Sequence, residues 1–187
     1  MTAAEAGSNG AVAAAAAQGA TQEASAGFTA VSGPGLEITL DDAPDTGSGT
    51  LPQGATADSL VIHQSDVQGV VNALWAAGAE AISINGQRLG PTSAIRFAGE
   101  AVLVDFRPVT NPYEVRAIGD PETLSSGFLA SPEVGALALI EETYGLRFDF
   151  ARKDNLSLPA ASTPELRAAR PVTDEPTALP TDPATGD

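Results

Sequence analysis

One stretch, SDVQGVVNALWAAGAEAISINGQR at residues 65–88, decides the fold. Its first half repeats apolar residues at helical spacing, while AISI at 81–84 alternates as a strand does. The helical positions are Val67, Val70, Val71, Leu74 and Trp75. Ser65 begins an S-x-x-Q capping box, and Gly78 supplies a left-handed stop. The stretch therefore predicts a helix and then a strand that ends in the turn Asn85-Gly86.

Alternating apolar residues predict further strands on both sides of this unit. Residues 36–42, LEITLDD, form a strand entered through the turn Gly33-Pro34-Gly35, and residues 28–32 are a candidate hairpin partner. The remaining strands are predicted at residues 94–97, 101–106, 113–118 and 146–150.

Two more helices are predicted where a capping residue precedes proline and glutamate. Asp120-Pro121-Glu122 and Ser131-Pro132-Glu133 both have this pattern, and Gly145 ends the second helix. The order of elements reduces to β-α-β-β-α-β with one or two extra strands. We therefore predict an α+β fold, a ferredoxin-like mixed or antiparallel sheet with its helices on one face.

The predicted domain covers residues 28–152. Residues 1–27 are rich in alanine and glycine and bury too little surface to order, so disorder is expected, with a frayed helix as the alternative. Residues 153–187 are proline-rich and acidic and predict a disordered tail, either solubilising or a docking peptide. Residues 41–59 form a long acidic loop that is either functional or mobile.

Composition excludes several classes of function. The 187 residues carry a formal charge of −15, which disfavours binding to nucleic acid or anionic lipid. There is no cysteine and one histidine, so disulfides, thiolate nucleophiles and multi-histidine metal sites are excluded. No window approaches roughly 18 apolar residues, so we expect a soluble chain with neither signal peptide nor membrane span as given.

The usual catalytic and ligand-binding motifs are missing. No G-x-S-x-G or phosphate loop occurs, and His63 stands just before a helix cap, where a histidine usually bonds to the backbone. The aspartates near residues 41–45 do not have EF-hand spacing, which favours a solvated acidic loop over a calcium site. We predict a protein that is not an enzyme, with no catalytic residue, cofactor or metal.

The basic residues are distributed unevenly, since all nine lie at or after Arg88. Arg88, Arg96, Arg107 and Arg116 fall on or near the central strands. One interpretation is a solvated sheet face whose guanidinium groups are neutralised by nearby acids. The other is that this face, or the turn at residues 85–88 beside Thr92-Ser93, binds a carboxylate-bearing partner through bidentate hydrogen bonds.

Three segments together resemble the YlxW/YlxX-like uncharacterised family of Gram-positive bacteria: GPGLEITLDD at 33–42, IHQSDVQGVVNALWAAGAEAISINGQRLGPTSAIRF at 62–97 and NPYEVRAIGDPETL at 111–124. Members are sometimes called division initiation proteins, because their genes lie among cell-division genes. The resemblance covers residues 28–152. It implies a short cytoplasmic start, one membrane helix, a coiled coil and then this domain outside the membrane, with no established catalytic activity. Eight arginines against one lysine suit an actinobacterial genome.

The family motif also directs attention to particular residues. Gly86, Gly119 and Asp120 have structural explanations as turn and cap residues. The candidate interaction residues are Asn85, Gln87, Arg88, Thr92, Ser93 and Tyr113. We predict a non-catalytic interaction or scaffold domain of a membrane-anchored envelope or cell-division protein, binding a protein partner or itself and reaching the membrane only through an upstream anchor. The alternative is a small-ligand sensor.

Overall fold

The computed structural model describes residues 3–44, 54–99, 101–162 and 168, and these form two antiparallel sheets and four α-helices. The prediction of an α+β protein is confirmed. The elements in chain order are α1 (Ala3–Ser25), β1 (Val31–Asp41), a 3-10 helix (Ala57–Leu60), α2 (Gln64–Ala76), β2 (Ala81–Ile84), β3 (Gln87–Arg88), β4 (Ile95–Ala98), β5 (Ala101–Val104), β6 (Arg107–Val109), β7 (Tyr113–Ile118), α3 (Pro121–Leu129), α4 (Pro132–Tyr144) and β8 (Arg147–Leu158).

The larger sheet has the strand order β3-β2-β7-β1-β8, and every neighbouring pair is antiparallel. Its register places Leu36, Ile38 and Leu40 of β1 opposite Ala117, Val115 and Tyr113 of β7. Because side chains alternate along a strand, these residues share one face. Helices α2, α3 and α4 pack their apolar residues on that face and so close the main core.

Helix α2 buries the predicted apolar residues except Trp75, which is 41% exposed, and it has a different start. It begins at Gln64, and the backbone N–H of His63 donates to the carboxylate of Asp66 at 2.8 Å. The S-x-x-Q pattern predicted the cap at Ser65, two residues later than the observed cap at His63. The C-terminal stop is confirmed, since Gly78 has φ +92°.

Strand β1 is longer than predicted. It begins at Val31, so Gly33-Pro34-Gly35 lies inside the strand and residues 28–32 do not form a separate hairpin partner. The register of β1 against β8 shifts between Gly33 and Gly35, which is a bulge. A side chain at Gly35 would overlap the backbone carbonyl of Ala117. Close approach of β7, and not a turn, therefore explains this glycine.

Both ends of the predicted domain differ from expectation. Helix α1 occupies most of the N-terminal segment expected to be disordered, because alanine forms a helix without needing to bury surface. Strand β8 continues to Leu158, where Leu156 and Leu158 join Ala81 and Ile118 in a small second core. The predicted tail from residue 163, except residue 168, and residues 45–53 of the acidic loop lie outside the described residues.

The smaller sheet has the order β4-β5-β6 and packs Val102, Val104 and Val109 into the main core. The predicted strand 101–106 is shorter here, because Asp105 and Phe106 turn the chain into β6. Both turn residues have positive φ, +49° and +65°. No local pattern predicts this turn, since neither asparagine nor glycine occupies it.

Both proline-started helices are confirmed, as are their caps. The carboxylate of Asp120 accepts the backbone N–H of Thr123 at 2.8 Å, and the hydroxyl of Ser131 accepts that of Val134 at 3.3 Å. Gly145 ends α4 with φ +78°. No single helix in the described ranges is long and apolar enough to cross a membrane, although α3 and α4, bent by 69° to each other, pass that test as a pair.

Candidate functional site

Arg88 is the most unusual of the predicted site residues. The turn Asn85-Gly86, with φ +46° and +76°, folds β3 back on β2 and places Arg88 opposite Ser83. The residue is only 6% exposed. Its Nη1 donates to the carbonyl of Pro159 at 3.4 Å, and its Nε has no hydrogen-bond partner among the described residues. Burial lowers the pKa of Arg88.

Two cavities meet at this side chain. The larger, called here the Arg88 cavity, has a volume of about 420 Å³. Its lining includes Trp75, Glu80, Arg88, Ser93 and the turn after α1 at residues 25–27. The smaller, of about 140 Å³, is bordered by Gln87, Arg88, Asp105, Arg107 and residues 159–162. Arg88 thus contributes to the lining of both cavities.

Ser93 and Asp105 fix the loop beside the Arg88 cavity. The hydroxyl of Ser93 donates to Oδ2 of Asp105 at 2.6 Å and accepts the backbone N–H of Gly90 at 2.9 Å. The other carboxylate oxygen, Oδ1, accepts the backbone N–H of Ala94 at 2.9 Å. The carboxylate of Asp105 is therefore engaged by the loop and not by Arg88.

The structure brings together part of the predicted set. Gln87, Arg88 and Ser93 line the two cavities, and Thr92 is exposed in the adjoining loop. Asn85 instead joins two segments, since its side chain donates to the carbonyls of Thr110 and Pro112 and accepts the backbone N–H of Glu114.

Tyr113 lies in the main core. Burial raises its pKa, with a further contribution from the charge of Asp42. The motif alone does not show whether its tyrosine is buried or exposed. Sequence reasoning also missed Trp75, whose helical spacing suggested the core, although its side chain reaches the Arg88 cavity.

We expect Asn85→Ala to lower the free energy of unfolding by about 1–3 kcal/mol, because three hydrogen bonds are lost and alanine tolerates positive φ poorly. Urea denaturation followed by circular dichroism measures this. Asn72→Ala, at an exposed position of α2, is the control and should change stability by less than about 0.5 kcal/mol. Equal losses in the two variants would contradict the joining role of Asn85.

The four arginines that the sequence singled out have different environments. Arg116 pairs with Glu37 and Glu114 on the outer face of the larger sheet, at 3.0 and 2.9 Å. Arg96 and Arg107 are exposed on the smaller sheet. The neutralised sheet face therefore describes Arg116, whereas Arg88 is buried with no carboxylate within 4.0 Å in the described part of the chain.

Glu37 makes stability depend on pH. Its hydrogen bond from Lys153, and then that from Arg116, lower its pKa below the usual 4.5 despite partial burial. A depressed folded-state pKa stabilises the fold above the unfolded pKa, and that contribution is lost as pH falls. At pH 7 we expect the free energy of unfolding of wild type to be higher than that of Glu37→Gln by about 0.5–1 kcal/mol. The gap should close as pH falls below 4.5 in urea titrations, and a gap independent of pH would contradict this assignment.

His63 has a local contact. Its Nε2 lies 2.9 Å from the backbone carbonyl of Asp58, as expected for a turn histidine. Among the described residues no three acidic or histidine side chains are grouped as metal ligands would be.

Residues 18–170 match the family described as "Bacterial protein of unknown function (DUF881)". The chain belongs to the DUF881 family. The match runs from the last turns of α1 through β8 and includes both cavities at Arg88. Its description carries no activity, so it leaves the chemistry of the DUF881 domain to be inferred from the site.

Relatives of this DUF881 chain include proteins of Mycobacterium and Bacillus. The UPF0749 protein Rv1823 of Mycobacterium tuberculosis is 40% identical over 144 residues, which are 76% of this chain and 47% of the relative. The UPF0749 protein YlxW of Bacillus subtilis is 41% identical over 98 residues, 52% of this chain and 40% of that protein. These matches confirm the YlxW-like resemblance. The chain spans about half the length of the curated relatives it matches.

A solved structure shares this fold. The crystal structure of an uncharacterized conserved protein from Mycobacterium tuberculosis superimposes with a TM-score of 0.58 at 30% sequence identity. The alignment covers 82% of this chain and 98% of that one. The arrangement of sheets and helices described above is therefore shared with this mycobacterial protein.

Proposed function

We propose that this DUF881 domain is a non-catalytic protein-interaction domain of a membrane-anchored protein of the cell envelope or division apparatus. The observation that carries the proposal is Phe106. It is 82% exposed and has φ +65° in the turn between β5 and β6.

Phe106 is unfavourable for folding in two respects. Positive φ at both central residues of a two-residue hairpin suits asparagine and glycine, and a bulky residue there is strained. The exposed ring gains little from burial. Strain and exposure at one residue are common where a side chain serves recognition. We infer that Phe106 contacts a partner.

The rest of the smaller sheet supports this inference. Phe97 of β4 is 55% exposed, and Arg96 and Arg107 are exposed on β4 and β6. Aromatic residues and arginine are enriched in protein interfaces, whereas the lysine and glutamate typical of free surfaces are depleted there. The partner is a protein or a second copy of this chain. The net charge of −15 disfavours nucleic acid.

Two finer points of the proposal concern the fold and the membrane. The order β2-β7-β1-β8, with β3 as an added edge strand, supports a ferredoxin-like arrangement, because β7 lies between β1 and β2 as in a split β-α-β unit.

A strongly acidic domain does not bind anionic lipid by itself. Membrane association is therefore proposed to come from an upstream anchor, as the greater length of the relatives allows.

The test replaces Phe106 by a photo-crosslinking phenylalanine analogue in the full-length gene product in its own host. We expect a discrete crosslinked species, identified by mass spectrometry as one envelope protein or as a second copy. The matched control places the same analogue at Leu139, an exposed apolar residue of α4. Identical adducts at both positions, or none at Phe106, would overturn the proposal.

A companion variant separates folding from function. We expect Phe106→Gly to raise the free energy of unfolding by up to about 1 kcal/mol, because glycine relieves positive φ. The same variant should lose the crosslinks formed from an analogue at Phe97. A fall in stability would show instead that Phe106 is retained for folding.

The small-ligand sensor is a second candidate function, and Arg88 is the observation that favours it. A buried cation beside a cavity of about 420 Å³ is an unusual feature for a purely structural domain. This candidate predicts ligand-dependent stabilisation, which the interaction surface around Phe106 does not require.

A further inference from the structure

We propose that the Arg88 cavity is a carboxylate-binding site, with the Arg88 guanidinium group as its cation and Trp75 as an apolar wall. The inference goes beyond the proposed interaction surface around Phe106, because Phe106 is not among the residues that line the Arg88 cavity. It commits to a carboxylate group as ligand.

The first argument is the state of the guanidinium group. Arginine is almost never this buried without a paired carboxylate, because removing a charge from water is costly. Here the residue is 6% exposed, the Nη1 hydrogen bond is long at 3.4 Å, and Nε has no partner among the described residues. The described chain thus leaves the Arg88 side chain without a paired carboxylate and its buried Nε without a hydrogen bond.

The second argument is that the neighbouring acids do not fill this role. Asp105 borders the smaller cavity, but its two oxygens are engaged by Ser93 and Ala94. Glu80 lines the Arg88 cavity, is exposed, and makes no ion pair within 4.0 Å in the described part of the chain. Neither of the two carboxylates in the cavity linings therefore pairs with the Arg88 guanidinium group.

The third argument concerns the kind of anion. The planar fork of arginine matches a carboxylate, and one monoanion balances one guanidinium charge. Arg88 is the basic residue in the lining of its cavity, and acidic Glu80 lies in the same lining. A phosphate dianion would meet one cation and one anion there, inside a protein of charge −15. Trp75 offers an apolar surface to the carbon skeleton of an organic acid.

The primary test is a titration of the wild-type full chain. Sodium acetate is added at constant ionic strength against sodium chloride, and the Nε–Hε signal of Arg88 is followed by ¹H–¹⁵N NMR. We expect a saturable shift of this signal with acetate, half-complete in the millimolar range, and a smaller, non-saturating shift with chloride. Sodium phosphate at pH 7 should shift it less than acetate. No shift up to about 100 mM acetate, or a stronger response to phosphate, would overturn the proposal.

A matched pair of variants provides the second readout. Arg88→Met keeps the apolar volume and removes the charge, and Arg96→Met does the same at an exposed position of β4. In saturating acetate we expect the melting temperature of wild type and of Arg96→Met to rise by about 3 °C and that of Arg88→Met to stay unchanged. An equal rise in all three would overturn the proposal. If Arg88→Met does not fold, the wild-type titration still decides.

The source of the carboxylate is distinguished by a third arm. The probe is an acetylated, amidated tripeptide, Gly-Glu-Gly, whose one carboxylate is the glutamate side chain. Binding at least about tenfold tighter than acetate assigns the site to an acidic segment of a protein partner, and equal or weaker binding assigns it to a small organic acid. The three carboxylate-binding measurements do not depend on the crosslinks formed from Phe106. Either proposal can therefore fail while the other stands.

Discussion

Replacing Gly35 by alanine should lower the free energy of unfolding by about 4 kcal/mol or more, enough to unfold much of the protein. A Cβ atom at this position would overlap the carbonyl oxygen of Ala117, and it would lie 2.9 Å from the carbonyl carbon and 3.0 Å from Cα of Ile118. These are backbone atoms of β7, paired with β1 in the middle of the sheet. They cannot move aside as the end of a flexible side chain can.

The control for Gly35→Ala is Gly135→Ala. Gly135 lies inside α4, and a Cβ there meets nothing within 4 Å. Alanine should therefore stabilise the helix by about 0.5–1 kcal/mol. Thermal and urea unfolding of both variants measure the contrast. A Gly35→Ala protein within about 1 kcal/mol of wild type would show that β1 and β7 do not approach as closely as described.

Local signals in the sequence were sufficient for the helices after residue 60. The caps at Asp120 and Ser131 and the stops at Gly78 and Gly145 depend on residues within four positions of each other. Such signals act without knowledge of the rest of the fold. In α2 these signals were wrong in two places: the cap is His63 and not Ser65, and Trp75, predicted for the buried face, is 41% exposed.

Features set by distant segments could not be predicted in the same way. The glycines of β1 suggested a turn, because the sequence does not show that β7 approaches Gly35 from the side. The end of β8 looked like part of a proline-rich tail, since Leu156 and Leu158 become core residues only when Ala81 and Ile118 lie beneath them.

The site shows the same division. Residues 85–88 are candidate interaction residues because the predicted turn carries an arginine, and the turn at Asn85-Gly86 is confirmed. Whether Arg88 is exposed or buried depends on Pro159 and on the turn after α1, which are far away in sequence. Asn85 and Tyr113 were predicted to be interaction residues because the sequence shows no local structural role for them, but both have a role in tertiary structure. Motif residues alone therefore do not separate binding from packing.

Replacing Phe128 by alanine should lower the free energy of unfolding by about 3–5 kcal/mol. Phe128 of α3 has no exposed surface, and its ring centroid lies 6.1 Å from those of both Phe148 and Phe150 on β8. Leu129→Ala is the matched control on the next residue. Leu129 is 52% exposed, so its loss should cost less than about 1 kcal/mol.

The loss of stability in Phe128→Ala should also differ between strands, and this difference tests the role of the aromatic cluster. Strand β8 is at the edge of the larger sheet, where β1 is its one pairing partner among the described strands, and contacts of Phe148 and Phe150 with Phe128 attach its first half. In Phe128→Ala the amide hydrogens of β8 should therefore exchange faster relative to wild type than those of β2, which is paired with β7 on one side and β3 on the other. Hydrogen exchange read by NMR measures both strands in one sample. Equal acceleration in β8 and β2 would mean that the sheet opens as a single unit and that the aromatic cluster does not anchor its edge.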